Sequence, residues 1–194
     1  LNIHITGYLL YMVYLGQKPA KIWYLPFIFI AIFWAISIHT VTAFLYVGLG
    51  GRPFWNSAIV APRFLASAFT AGPGFLILTL QIIRRVSTNH ISDKALQMLR
   101  NIVQVSMVIN VFLLFCELFK EFYTDSAHVA SAKYLFFGLH GYHGLVPWIW
   151  TAMALNTVAL ILLVLPISRS LKYLDIACVL AIAGIWIEKG MGLV

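Results

Sequence analysis

The chain has 194 residues, of which 62% are hydrophobic and only 10% are charged, whereas about a quarter of the residues of a typical soluble domain are charged. This composition excludes an ordinary soluble enzyme and predicts an integral membrane protein. The apolar runs are too long for the strands of a barrel, so we expect an all-α, polytopic helical bundle. The net charge of +7 does not indicate nucleic acid, because the basic residues lie in short loops between apolar segments.

The apolar runs predict about six spans in one transmembrane domain, residues 1–194. Because the sequence opens on Leu1 and stops after an apolar helix, we interpret it as a fragment of a longer protein. A Gly-Pro-Gly sequence at 72–74 predicts a kink in the third span. In chain order the predicted spans are residues 1–15, 22–47, 55–86, 92–123, a span that enters near residue 143 and ends near 166, and 171–189.

Alternation of the spans divides the loops between two sides of the membrane. Most basic residues lie on one side, which the positive-inside rule assigns to the cytoplasm. The ionisable residues of interest gather toward the opposite, outer side, so any chemistry is expected to open outward. These residues are His39, Arg63, Glu117, His140, His143 and Glu188.

Two ionisable side chains lie within predicted spans on either side of a Gly-rich turn. An arginine in a spanning helix costs roughly 2.5–3.5 kcal/mol on insertion scales, so such a residue faces the bundle interior or a hydrated cavity. His39 and Arg63 each lie about 8 residues, or about 12 Å, from this turn. We therefore expect them at one level, with Glu117 approaching that level from the fourth span.

A histidine, an arginine and a carboxylate at similar depth predict a site for a quinone head group, with the histidine exchanging its proton. An alternative is that Arg63 and Glu117 form a buried pair that only fixes helix packing. A second alternative is bis-histidine haem, in which His39 pairs with His140 or His143. The latter two histidines lie close to a surface turn, which favours an interfacial position over ligation.

Other cofactor motifs are missing from the sequence. It contains no CxxCH, CxxC, P-loop or GxGxxG pattern, so we expect no covalent haem, iron–sulfur, nucleotide or dinucleotide site in this chain. Cys116 and Cys178 are isolated within apolar helices, where packing is the expected role.

Four motifs resemble the NrfD/polysulfide-reductase membrane subunit family, in particular its DsrP, HmcC and QrcD branch. They occur in the family's order and together extend over nearly the whole chain. The motifs are HTVTAFLYVGLGGRPFWNSAIVAPRFLASAFTAGPG from His39, CELFKEFYT from Cys116, HGYHGLVPWIW from His140 and WIEKGMGLV from Trp186.

The resemblance implies a quinone-interacting membrane subunit of a respiratory redox complex, acting as a menaquinol:acceptor oxidoreductase in the cytoplasmic membrane of a bacterium or archaeon. Electrons would pass between menaquinol and a ferredoxin-like iron–sulfur subunit on the outer face, with a multihaem cytochrome as a further partner and with coupled proton movement. The chain itself would be free of haem and metal.

The resemblance also implies that His39 is the quinone-site histidine. Some family members carry an aspartate in the next helix, but here Arg63 is the only ionisable residue of that helix before Arg84. We therefore expect His39 and Glu117 to accept protons and Arg63 to orient the head group. The full set of expected quinone-binding residues is His39, Arg63, Trp55, His140 and His143.

Two other functional classes agree with the same residues. A transporter or proton channel would use the broken helix at residues 72–74 and the intramembrane charges as its substrate or ion site. A pure membrane anchor would use the polar side chains only to hold helices together.

Overall fold

A computed structural model describes residues 2–48, 57–87, 91–123 and 129–193. Within these ranges every regular element is helical, which confirms the predicted all-α class. A 3-10 helix, Pro166–Arg169, precedes the last of the α-helices. The α-helices are α1 (Asn2–Tyr14), α2 (Lys21–Val47), α3 (Val60–Val86), α4 (Asp93–Tyr123), α5 (Val129–Phe137), α6 (Val146–Val164) and α7 (Leu171–Leu193).

Four of the described helices, α2, α3, α4 and α6, are long and apolar enough to cross a membrane by length and composition. With the shorter α1 and with α7, they correspond to the approximately six predicted spans. The third span differs from its prediction, because α3 begins at Val60 rather than near Trp55. Arg63 therefore lies in the first turn of α3. The helix continues without a break through Pro73.

The core is a four-helix bundle of α3, α4, α6 and α7. On α3, buried residues recur every three or four positions, which forms the narrow stripe of a helix packed along its whole length. Helix α2 packs on the other side of α3, and α1 packs on α2. The buried stripe of α3 comprises Val60, Arg63, Ala66, Ser67, Thr70, Gly74, Ile77 and Gln81.

Arg100 closes one end of the bundle, which we call the Arg100 end. Its Nε donates a hydrogen bond to Ser168 Oγ at 2.9 Å, and its Nη2 donates to the carbonyl of Leu163 in the last turn of α6 at 3.4 Å. A cation suits this position because the last carbonyls of a helix lack partners and carry partial negative charge. The predicted cytoplasmic loops meet at this end, where Gln97 donates to the carbonyl of Arg169 at 3.2 Å.

Helices α6 and α7 approach each other closely around a glycine. A Cβ placed on Gly184 would overlap Asn156 Oδ1 and would lie only 3.1 Å from the Asn156 backbone nitrogen. A real side chain could not occupy this space without moving α6, so only glycine permits the approach.

We expect Gly184→Ala to destabilise the protein by about 1–3 kcal/mol, the usual cost of forcing extra volume into a packed core. Thermal unfolding of the detergent-purified protein measures the effect. Gly190→Ala is the matched control, because it lies on the same helix with no atom within 4 Å of its added Cβ. Equal melting temperatures for the two variants would contradict the close approach.

Candidate functional site

A cavity of about 260 Å³ lies between α2 and α3. Its walls are almost entirely apolar, and among the described residues His39 is the only ionisable side chain that lines it. Ligand sites commonly combine an apolar wall with a few polar groups that fix orientation. The lining residues are Ile32, Ala35, Ile36, His39, Leu65, Ala68, Phe69 and Pro73.

The half-buried His39 is fixed by its own helix. Its Nδ1 lies 2.8 Å from the carbonyl oxygen of Ala35, one turn earlier. Because a carbonyl can only accept a hydrogen bond, a neutral His39 carries its hydrogen on Nδ1 and keeps a lone pair on Nε2. The second nitrogen can therefore accept a hydrogen bond, or a proton, from a ligand.

Pro73 adds a second polar feature to the cavity wall. Proline has no backbone N–H, so the carbonyl of Phe69, four residues earlier, does not receive the usual helical hydrogen bond from position 73. Both residues line the cavity. A backbone carbonyl without its helical donor thus belongs to a residue that lines the cavity on α3.

A separate charged cluster lies inside the four-helix bundle, at the end opposite Arg100, which we call the Arg63 end. Arg63 forms ion pairs with Glu117 of α4 and Glu188 of α7. Asn156 Nδ2 of α6 donates to Glu188 Oε2 at 2.9 Å. Only 6%, 1%, 4% and 1% of Arg63, Glu117, Glu188 and Asn156, respectively, are exposed, so the cluster connects the four core helices almost out of contact with the surroundings.

Lys189 borders this cluster on the side of α2 and α3. Its Nζ lies 3.4 Å from Glu188 Oε1 and 5.2 Å from the centre of the Phe64 ring, a distance typical of a cation–π contact. Phe64 in turn stacks on Tyr46 of α2 at 5.9 Å. The aromatic pair thus links the charged cluster to the helix that carries His39.

The structure does not bring His39 and Arg63 into one cavity. Arg63 belongs to the buried stripe of α3 that faces α4 and α7, whereas His39 meets the opposite side of α3 at Leu65, Ala68 and Phe69. The two also differ in level, since Arg63 lies in the first turn of α3. Arg63 and Glu117 do meet, as expected from their depths.

His140 and His143 lie on an exposed turn before α6, away from the cavity between α2 and α3. His140 and Gly141 have positive φ values of 51° and 85°, which is the conformation of a tight two-residue hairpin turn. His143 Nδ1 lies 3.1 Å from the carbonyl of Phe137. Trp55 lies outside the residues that the structure describes, so its predicted role stays a prediction.

The sequence analysis did not identify Asn156, and it assigned Glu188 only to the outer side of the membrane. A signal for Asn156 exists, because it is the only amide side chain in the apolar run 146–164, and a polar group in a spanning helix seeks a partner. Among the described residues, no three His, Cys, Asp or Glu side chains form a cluster able to hold a metal ion.

A family model and two relatives match this chain. The model of a family described as polysulphide reductase, NrfD, matches residues 6–190. An Hdr-like menaquinol oxidoreductase integral membrane subunit from Archaeoglobus fulgidus is 27% identical over 101 residues, which are 52% of this chain and 26% of that protein. A putative dimethyl sulfoxide reductase membrane subunit from Halobacterium salinarum is 27% identical over 159 residues, 79% of this chain and 35% of that protein. The matches thus cover about a quarter to a third of these relatives' lengths.

We expect Arg63→Met to destabilise the bundle by about 3–5 kcal/mol, because removal of one partner leaves buried carboxylates without their counter-ion. Thermal unfolding in detergent measures this loss. Arg84→Met is the control, since the exposed Arg84–Asp93 pair should contribute about 1 kcal/mol or less. Adding Glu117→Gln and Glu188→Gln to Arg63→Met should restore much of the stability, and a further loss would contradict the ion-pair assignment.

Proposed function

We propose, since this chain belongs to the polysulphide reductase NrfD family, that it forms the quinone-interacting membrane part of a redox complex and takes menaquinol as its substrate. One observation carries this proposal: the cavity between α2 and α3 joins an apolar wall to a single imidazole with a lone pair on Nε2. A hydroxyl group on an apolar ring matches that combination. The name of the Archaeoglobus relative, a menaquinol oxidoreductase subunit, supports menaquinol in particular.

The cavity has the direction that a quinol with a long apolar tail requires. From His39 it extends along α2 to Ile32, and along α3 from Leu65 to Pro73, which is roughly 10 Å in each helix at 1.5 Å per residue. The head group binds at the His39 end. The tail follows the apolar wall and leaves between α2 and α3 into the lipid.

Oxidation of one quinol releases two protons and two electrons. In our proposal the quinol hydroxyl nearest α2 donates its hydrogen bond to His39 Nε2 and transfers its proton there as the electrons depart. The second hydroxyl donates to the carbonyl of Phe69. The Phe69 carbonyl cannot take up a proton, so the second proton leaves the cavity for water on the outer side. Glu117 and Glu188, which open to the Arg63 end, are the proposed acceptors of this proton from that water, and Arg63 positions these carboxylates without touching the head group.

The electrons pass to a partner, because the reaction needs an acceptor. We propose a ferredoxin-like iron–sulfur subunit on the outer side, at the Arg63 end, with a multihaem cytochrome beyond it and with proton movement coupled to turnover. The assembly would lie in the cytoplasmic membrane of a bacterium or archaeon, with this chain as part of a longer subunit. His140 and His143, exposed near the outer start of α6, suit the surface of such an assembly better than the quinol cavity.

We expect His39→Gln to lower the rate of quinol oxidation by about 10²–10⁴-fold, the usual contribution of a positioned proton acceptor. KM should change much less, because the glutamine amide oxygen still accepts a hydrogen bond. Steady-state oxidation of a short-chain menaquinol analogue by membranes that contain the intact assembly gives both constants.

Ser37→Ala is the control for that variant, since Ser37 Oγ donates to the carbonyl of Phe33 within α2 and Ser37 is not among the residues that line the cavity. It should oxidise the quinol analogue at the wild-type rate. Wild-type turnover in His39→Gln would reject the proposed function.

A second prediction concerns the Phe69 carbonyl. Pro73→Ala supplies an N–H that bonds this carbonyl within α3, so the ligand loses one neutral hydrogen bond of about 0.5–1.5 kcal/mol. The Kd of a fluorescent quinol analogue should rise roughly 2–10-fold. Pro26→Ala changes a proline in the interior of α2 that does not line the cavity, and it should leave this Kd unchanged. Equal affinities for both variants and the wild type would exclude the carbonyl as a ligand.

A further inference from the structure

Several polar atoms of the four-helix core are buried without a hydrogen-bond partner among the described residues. Within the described ranges, neither amide atom of Asn110 has a hydrogen-bond partner, and the same holds for Asn156 Oδ1 and Arg63 Nε. Asn110 is fully buried, and Asn156 is 1% exposed. Buried polar groups in folded proteins are nearly always satisfied by protein or by water, so these atoms without partners require an explanation.

The ion pairs fix which residues share a level with Asn110. Helices α3 and α4 run antiparallel, and Arg63 pairs with Glu117. Seven residues, or one heptad, inward from this pair, α3 carries Thr70 and α4 carries Asn110, so these two residues share a level. Both are completely buried. Thr70 donates its hydroxyl hydrogen to the carbonyl of Ala66 at 2.9 Å, which leaves its oxygen able to accept.

The other two core helices contribute small residues to this region. The β-position of Gly74 lies 3.8 Å from Cys178 of α7, so Ala181, one turn further along α7, faces the level of Thr70. Ala159 of α6 is fully buried and belongs to the same hydrophobic cluster as Ala181. These two alanines contribute little side-chain volume to this region of the core.

We propose that ordered water fills this part of the core, bound by Arg63 Nε, Asn156 Oδ1 and the Asn110 amide, and that it connects the carboxylates Glu117 and Glu188 to the Arg63 end only. A buried water needs two to four polar partners, and these three side chains supply both donors and acceptors. The role of this water in moving quinol protons rests on the proposed function. Its presence does not.

The water is confined on its inner side by an apolar layer. Ile77, Val103, Leu163 and Leu174 are each fully buried and belong to one hydrophobic cluster. Beyond them lie the polar groups of the Arg100 end, where Gln81 donates to Asp175. Because apolar cavities stay dry, the layer separates the hydrated region from the Arg100 end and allows proton exchange with one side of the membrane.

A high-resolution cryo-electron microscopy map of the full-length protein in its native assembly tests the water directly. The expected result is density at hydrogen-bond distance from Asn110 and Asn156 in the wild type. Asn110→Leu should lose this density, and Met107→Leu, which changes a fully buried residue of the apolar cluster on the same helix, should keep it. A wild-type map in which protein groups satisfy both amides without water would overturn the proposal, whether or not Asn110→Leu folds.

A passive proton-leak assay tests the apolar layer without any quinol. Liposomes that contain the wild-type assembly and an internal pH dye should hold a pH gradient under a potassium diffusion potential. Val103→Asn should dissipate the gradient at least several-fold faster, because it joins the hydrated region to the Arg100 end. Ile102→Asn, at the neighbouring, 38% exposed position, should not.

A wild-type leak as fast as that of Val103→Asn would show that no seal exists, and a tight Val103→Asn would show that the region above it is dry. Either result overturns this inference. Neither bears on quinol binding, which the His39→Gln experiment decides separately.

Discussion

The buried Arg63 guanidinium is the interaction on which the rest of the bundle depends. Apolar helices have little reason to prefer one register over another in lipid, because the tails are as apolar as the side chains. A buried cation with carboxylates from α4 and α7, one of them held by an amide from α6, permits a single register. Every deeper layer of the core follows from that level, down to the hydrogen bonds of Arg100 at the far end.

One face of α3 is occupied by contacts with the core, so its opposite face is left to line the cavity. Residues on the core side are fixed by charge and packing, whereas Leu65, Ala68, Phe69 and Pro73 line the cavity beside α2. Helix α2 is itself little buried, so a lipid-soluble ligand can reach His39 from the membrane without disturbing the ion pairs. The fold thereby separates a buried charged core from the accessible cavity that we propose as the quinol site.

The sequence predicts the helical class, the approximate spans and the meeting of Arg63 with Glu117, because composition, run length and depth determine these features. It does not predict that Arg63 and His39 lie on opposite sides of α3. Depth counts give the level of a residue but not its rotation about the helix axis, which depends on packing against all neighbours. The level of Arg63 also differs from its prediction, since α3 begins only at Val60, a boundary that hydropathy alone does not mark. The position of Asn156 depends on its close contact with Gly184 of α7. No local sequence pattern predicts such a contact between two helices.

The charge balance of the core explains how a cluster of this size is tolerated in a membrane, and it bears on the proton exchange that we propose. Glu117 and Glu188 offset Arg63 and Lys189, so the group is neutral when both carboxylates are ionised. A proton that reaches either carboxylate leaves a net positive charge in a medium of low dielectric constant, where it cannot persist. With the apolar layer at Ile77 and Val103 on one side, its favourable exit is back toward the Arg63 end, so the same ion pairs that fix the helices also limit how long a proton stays.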